Sequence, residues 1–374
     1  MVPGVRRDYD WIPAFAGMTT MSLLRLFTSS SNVQIFRLGF TGYLMDLVTI
    51  WSCLVALIII LYVVLDGFGL GVALLFPTTR DEEERDLLIG SIAPVWDANQ
   101  TWLVFGAGAL FVAFPMVYGV LFSALYIPLF TFVFGLIFRG TTFEFRESAF
   151  RKGIWNKVFF LGSLIAVGSQ GLTLGGVISG IEVEAGRFAG GSFDWLNAFS
   201  ITVSVALIAG YILLGSTYLI IKTTGQVQER AFNQARWSAL AVLGFQVVVT
   251  IWTPLHYSSV LINWITPPRI YYIWTFPAVG LIAFFILIRS LKARREILPF
   301  VCSVFLFLAG YLGLIASLYP YAIPPSLTLQ EAIAQQETLV FTLWGASIIL
   351  PVVLGYSIYS YSVFRGKVGK EKYG

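Results

Sequence analysis

The sequence predicts an all-α polytopic membrane protein with about nine transmembrane helices. Three observations carry that prediction. First, 57% of the 374 residues are hydrophobic and only 12% are charged, with mean hydropathy +0.80. Soluble domains carry about 25% charged residues, so a chain this apolar takes lipid as its solvent. Second, apolar runs long enough to cross roughly 30 Å of hydrocarbon recur along its length. Third, lysine and arginine alternate between successive connections, crowding one face of the membrane and avoiding the other.

Residues 1–44 stand apart from this pattern. They carry arginines, a Ser29–Ser30–Ser31 patch and no long apolar run. The expectation is a disordered extension or a start upstream of the functional one, with Met45 opening a single transmembrane domain over 45–374. Nine runs then qualify as spans: 48–76, 91–113, 116–138, 158–178, 198–221, 237–253, 271–288, 298–318 and 338–363. They are too long for barrel strands, and helices satisfy every backbone group internally in lipid. The first is interrupted by Asp66 beside the GFGLG segment 67–71. The second opens on WDANQ (96–100) and meets the third at Pro115. The third closes on Arg139, Glu144, Arg146 and Glu147. The fourth carries GLTLGG (171–176), glycines that read as close helix packing. The eighth holds Cys302 and ends at a Tyr319–Pro325 stretch rich in tyrosine and proline.

Orientation follows from the basic residues. The connections after spans 2, 4, 6 and 8 hold only Arg187 and Arg269. The other connections and the C-terminal tail hold the rest of the basic residues between spans, which predicts an outside N-terminus and a cytoplasmic C-terminus. The acidic run Asp81–Glu84 reads as a solvated loop. The net charge of +4 forms no basic tract, which argues against nucleic acid as a partner. No Walker or Rossmann pattern is present. One histidine, His256 in an outward connection, and two helix-borne cysteines, Cys53 and Cys302, are a poor ligand set for a redox metal.

The informative polar groups are therefore carboxylates. Asp66 at mid-helix costs roughly 2.5–3.5 kcal/mol to insert, so it faces protein or water, either as a structural group or as a proton carrier. Asp97 shares a short polar turn with Trp96, Asn99 and Gln100, where an acid also suits a helix N-terminus. Glu144, flanked by Arg139 and Arg146, stands at the same membrane face as Asp97. Two carboxylates there suggest a proton path; a solvated charge cluster is the alternative for Glu144. A proton- or cation-coupled secondary transporter, with Asp66 and Asp97 at broken helices, is the competing function.

DGFGLGVALLFP (66–77), WDANQTWLVFGAGALFVAFPMVY (96–118) and LIFRGTTFEFR (136–146), with YPYAIPPSLTLQEA (319–332) and YSVFRGKV (361–368), resemble subunit II of cytochrome bd-type quinol oxidases, including the cyanide-insensitive branch. The resemblance implies two four-helix bundles plus one further helix, in a bacterial cytoplasmic membrane. It implies a partner, the haem-bearing subunit I, which holds haems b and d and oxidises quinol while oxygen is reduced to water. This chain would be the haem-free subunit of that terminal oxidase, with a small single-helix subunit and a quinone as further candidates for association. On the family pattern Asp97 belongs to a proton channel shaped by Trp96 and Gln100, Glu144 stands near its cytoplasmic mouth with Arg139 and Arg146, and Asp66 matches a helix 1 acid. Departures are Gly69 where the family often has a second acid, Ala98 for a glycine, and Glu144 where an aspartate is common.

Overall fold

The computed structural model describes residues 30–79, 81–256 and 258–368. By internal contact the chain divides into Met1–Ile50, described from Ser30 onward as helix, and Trp51–Gly374, which carries all that follows. Residues 1–29, most of the segment expected to be an extension, lie outside the described residues.

Helix α1, Ser30–Leu74, ends in a short 3-10 turn at Phe76–Thr78 with Pro77 in its first turn. The acidic run expected to be a loop instead starts helix α2, Glu82–Ile92. Asp81 caps it, its carboxylate accepting from the Glu83 amide at 3.2 Å. Glu82, Glu83 and Glu84 then lie in the first turn, where the exposed amides and the helix dipole favour negative charge.

Helix α3, Trp96–Ala113, stops at Phe114, and α4, Pro115–Ala124, leaves it at 118°. Proline has no N–H to give and crowds the residue before it out of the helical region; Phe114 accordingly sits at φ −131, ψ 63. A second break at Leu125 separates α4 from α5, Tyr126–Phe145. The run read as one span over 116–138 is thus two helices. Then come α6, Lys152–Ser179, α7, Ala198–Lys222, and α8, Gly225–His256. The short α9, Ser258–Ile265, and α10, Arg269–Ile273, precede α11, Thr275–Lys292, and α12, Leu298–Leu318. A one-turn α13, Leu329–Ala332, leads into α14, Gln336–Val363. Among the described residues eight helices are long and apolar enough to cross a membrane, or nine with the bent α3–α4 pair as one span.

Helices α5, α6, α7 and α8 pack neighbour on neighbour, α12 packs on α11 and α7, and α14 on α3. Small residues set the closest crossings. At Gly71 an added Cβ would lie 1.7 Å from the Tyr211 carbonyl oxygen, so α1 and α7 touch backbone to backbone. In lipid such contact takes the place of a hydrophobic driving force between helices. Two short hairpins lie in the connections between helices, β1 (Val183–Glu184) with β2 (Arg187–Phe188) and β3 (Tyr321–Ile323) with β4 (Leu327–Thr328). Their connections are tied together by Ser326 Oγ, which donates to the Ile181 carbonyl at 2.9 Å.

Candidate functional site

The first polar centre lies inside the helices. Asp66 on α1 receives a hydrogen bond from Arg139 Nη1 on α5 at 2.7 Å, and both side chains are 0% exposed. Arginine carries its charge at any accessible pH, and a planar fork suits a buried carboxylate. Gly69, one turn beyond Asp66, makes the approach possible: a Cβ there would stand 2.8 Å from Arg139 Nη2. The guanidinium also lies over the Phe143 ring at 5.9 Å. Tyr62, one turn before Asp66, faces its carboxylate without reaching hydrogen-bond geometry. Tyr211 on α7 lies within electrostatic reach of the pair and donates to Gln170 Oε1 at 3.0 Å. Asp66 Oδ2, Arg139 Nε and Nη2, and the Tyr62 hydroxyl have no hydrogen-bond partner among the described residues. Arg139 is therefore not part of a surface charge cluster. It reaches inward, and the sequence had no means of pairing it with a residue 73 positions away.

The second centre is the first turn of α3. Trp96 stacks on Phe143 of α5, ring centroids 4.9 Å apart and planes 12° from parallel. Gly140 sits beneath the same indole, its ideal Cβ position 3.4 Å away. Asp97 and Glu144, each next in sequence to one member of this stack, are both exposed. Asp97 does not cap α3: the N-cap is Val95, with no side-chain cap bond. Gln100 lies one turn on, its Nε2 buried and without a partner among the described residues. Asn99 is buried beside it and had no role assigned from sequence. Its Nδ2 donates to the Leu65 carbonyl at 2.7 Å, and its Oδ1 accepts from Tyr361 on α14 at 2.7 Å. Trp102 Nε1 donates to Ser357 Oγ at 3.2 Å, a second link between α3 and α14.

The third group is a clamp around α2. Arg146, 6% exposed, donates to Asp86 Oδ1 at 2.6 Å, Glu82 Oε2 at 3.0 Å and Asn156 Oδ1 at 2.7 Å. Lys152 adds an ion pair to Asp86 at 3.3 Å, and Arg230 of α8 holds Glu84 at 2.9 Å. Burial pushes the Asp86 carboxyl up, but the Arg146 and Lys152 cations outweigh it and hold the group below the usual carboxylate range. Arg139 and Arg146, read as neighbours in one cluster with Glu144, thus serve acids on two different helices: Asp66 on α1, and Glu82 and Asp86 on α2. Asp81 followed by Glu82–Glu84 was the sequence signal for α2, a capping residue ahead of an acidic first turn.

Residues 47–364 match the family model described as cytochrome bd terminal oxidase subunit II. Among curated proteins, "Cytochrome bd-I ubiquinol oxidase subunit 2" of Escherichia coli (strain K12) is 28% identical over 363 residues, covering 86% of this chain and 95% of that protein. "Cytochrome bd ubiquinol oxidase subunit 2" of Bacillus subtilis (strain 168) is 29% identical over 343 residues, covering 86% and 97%. Among solved structures, a chain of the bd oxidase from Geobacillus thermodenitrificans shares the fold with a TM-score of 0.70 at 17% identity, covering 85% of this chain and 99% of that one.

Proposed function

Since the chain belongs to the cytochrome bd terminal oxidase subunit II family, we propose that it is the haem-free subunit of such an oxidase. In this role it scaffolds a haem-bearing subunit I and lends carboxylates to a cytoplasmic proton-uptake path. The donor set supports the haem-free reading. His256 is the only histidine, and its side chain lies outside the described residues. Cys53 on α1 and Cys302 on α12 lie on separate helices, and among the described residues no three His, Cys, Asp or Glu side chains gather as a metal site. On this reading haems b and d are held by the partner subunit.

The observation that carries the proton role is the exposure of Asp97 and Glu144, each next in sequence to one ring of the Trp96–Phe143 stack. Exposed apolar side chains on the same helices, Val104 and Phe111 on α3 and Phe134 and Phe138 on α5, offer a surface for lipid or for subunit I. The alternation of basic connections supports placing this end of α3 and α5 on the cytoplasmic side. Protons taken up there pass between the subunits, with Trp96 and Gln100 shaping the start of the route. Asp66 has a different role in this account. Paired with Arg139 at 2.7 Å, it fixes α1 against α5, behind the path.

The test is Asp97→Asn in the assembled complex. Proton delivery by a positioned group contributes about 10²–10⁴-fold to a rate. Quinol-driven oxygen consumption should therefore fall at least tenfold while the haem absorbance stays unchanged. An unchanged rate in a fully assembled complex leaves this chain a purely structural role.

A further inference from the structure

A cavity of about 190 Å³ opens at the basic end of the helices, between the α2–α3 turn, the end of α7 and the residues that follow α14. Its floor is aromatic. Tyr218 and Tyr361 line it, and their hydroxyls are already spent on the Ser91 carbonyl at 3.0 Å and on Asn99 Oδ1 at 2.7 Å. The floor therefore offers ring carbons rather than hydrogen bonds. Val95, Ile221 and Phe364 make apolar walls. Water fills cavities only where it finds two or more polar partners, so this lining favours an apolar group.

The mouth is cationic. Arg365 lies at its edge, is exposed, and makes no hydrogen bond or ion pair with any described residue. Lys222 lies beside it and gives two of its three N–H groups to the Phe364 and Gly366 carbonyls, which leaves one to spare. Lys367 is fully used: it donates to the Ile220 and Thr223 carbonyls at 3.1 and 3.0 Å and pairs with Glu296 at 2.9 Å. Glu296 is thereby charge-compensated, and two cations remain at the mouth with no anion facing them among the described residues. Beyond the mouth, Ile358 and Tyr359 of α14 expose apolar surface along the helix toward the membrane interior.

We propose that this cavity seats one anionic phospholipid, its phosphate held by Arg365 and Lys222 and its first methylenes resting on the Tyr218–Tyr361 floor. Ligand sites for whole small molecules run to roughly 300–1,000 Å³. A cavity of about 190 Å³ therefore takes only the head and the start of one chain, and the remainder lies along Ile358 and Tyr359. Charge complementarity selects the occupant: a basic pocket between helix ends at the membrane surface suits an anionic headgroup, and a zwitterionic lipid would bring its own cation against Arg365. The inference is independent of the proton role of Asp97.

The test uses the whole oxidase complex in nanodiscs of phosphatidylcholine, with phosphatidylglycerol titrated in and retained lipids counted by native mass spectrometry. One phosphatidylglycerol should be retained per complex in preference to phosphatidylcholine. Arg365→Gln should weaken that preference about fivefold, the contribution expected of one surface cation. Ile221→Trp, which fills the wall, should abolish it, with the haem absorbance of both variants unchanged as proof of assembly. Equal retention of the two lipids overturns the proposal, as does an undiminished preference in both variants. Displacement of the lipid by millimolar inorganic phosphate also overturns it, since that outcome assigns the pocket to free phosphate.

Discussion

Removing one partner of the Asp66–Arg139 pair is the sharpest perturbation the fold offers. Both side chains are 0% exposed and are joined at 2.7 Å. Arg139→Gln strands a carboxylate in the helix core, and Asp66→Asn strands a guanidinium that already has two donors without partners among the described residues. Breaking a buried pair from one side costs about 3–5 kcal/mol, whereas removing both charges together is often close to neutral. For domains of 150–250 residues about 1 kcal/mol moves the midpoint by roughly 2–4 °C, and by less in a longer chain. Each single variant should therefore lower the thermal midpoint of the purified complex by about 5–10 °C, read by intrinsic fluorescence at neutral pH. The double variant Asp66→Asn/Arg139→Gln should recover at least half of that loss. Gly69→Asp tests the same geometry from the other direction. Its Cβ would stand 2.8 Å from Arg139 Nη2 and 3.8 Å from Asp66 Oδ1, so the guanidinium must shift and two buried carboxylates must share one arginine; stability should fall. The reasoning fails if the single variants melt with the parent, or if the double variant loses as much as the two singles combined.

Three further outcomes follow from the packing and the clamp. Gly71→Leu drives a side chain into the Tyr211 carbonyl; overpacking of this kind costs about 1–3 kcal/mol or more, and the yield of assembled complex should drop severalfold in solubilised membranes. Trp102→Phe removes the hydrogen bond to Ser357 and part of a fully buried ring, so it should cost about 1 kcal/mol for the bond and about 1 kcal/mol more for the lost packing, visible as a fall in midpoint with normal assembly. Asp86 is held below its ordinary range in the folded protein, so its contribution to stability is present above about pH 4 and is lost as pH falls through the lowered folded value. A midpoint-versus-pH series should be flat from neutral to mildly acidic pH, then decline. In Asp86→Asn that part of the decline should be missing.

The parts of this architecture that were legible in the sequence are those governed by local chemistry. Long apolar runs between basic connections show where lipid surrounds the chain, and Phe114–Pro115 shows where α3 must stop. The break at Leu125 was harder to see because the apolar run continues across it. Its signal was Pro128, which sits in the first turn of α5 and cannot continue α4 as a regular helix. Asp81 ahead of three glutamates was a helix start that looked like a solvated loop, since a capping residue and a loop acid are the same residue until the amides beneath them are seen. The pairing of Asp66 with Arg139, and of Arg146 with Glu82 and Asp86, was not legible at all. Those contacts depend on how helices far apart in sequence cross, and glycine at 69 and 71 decides that by letting α1 come close. The turn at Trp96–Gln100 was recognisable as a site from its residue types, but Asn99 and its link to Tyr361 emerged only once α14 was laid against α3.

The most direct test of the haem-free assignment is the haem content of the purified oxidase carrying His256→Ala together with Cys53→Ser and Cys302→Ser. These changes remove every histidine and cysteine this chain has. The account predicts unchanged b- and d-type absorbance per mole of complex and unchanged quinol oxidation. Loss of any one haem band from an otherwise assembled complex would contradict it.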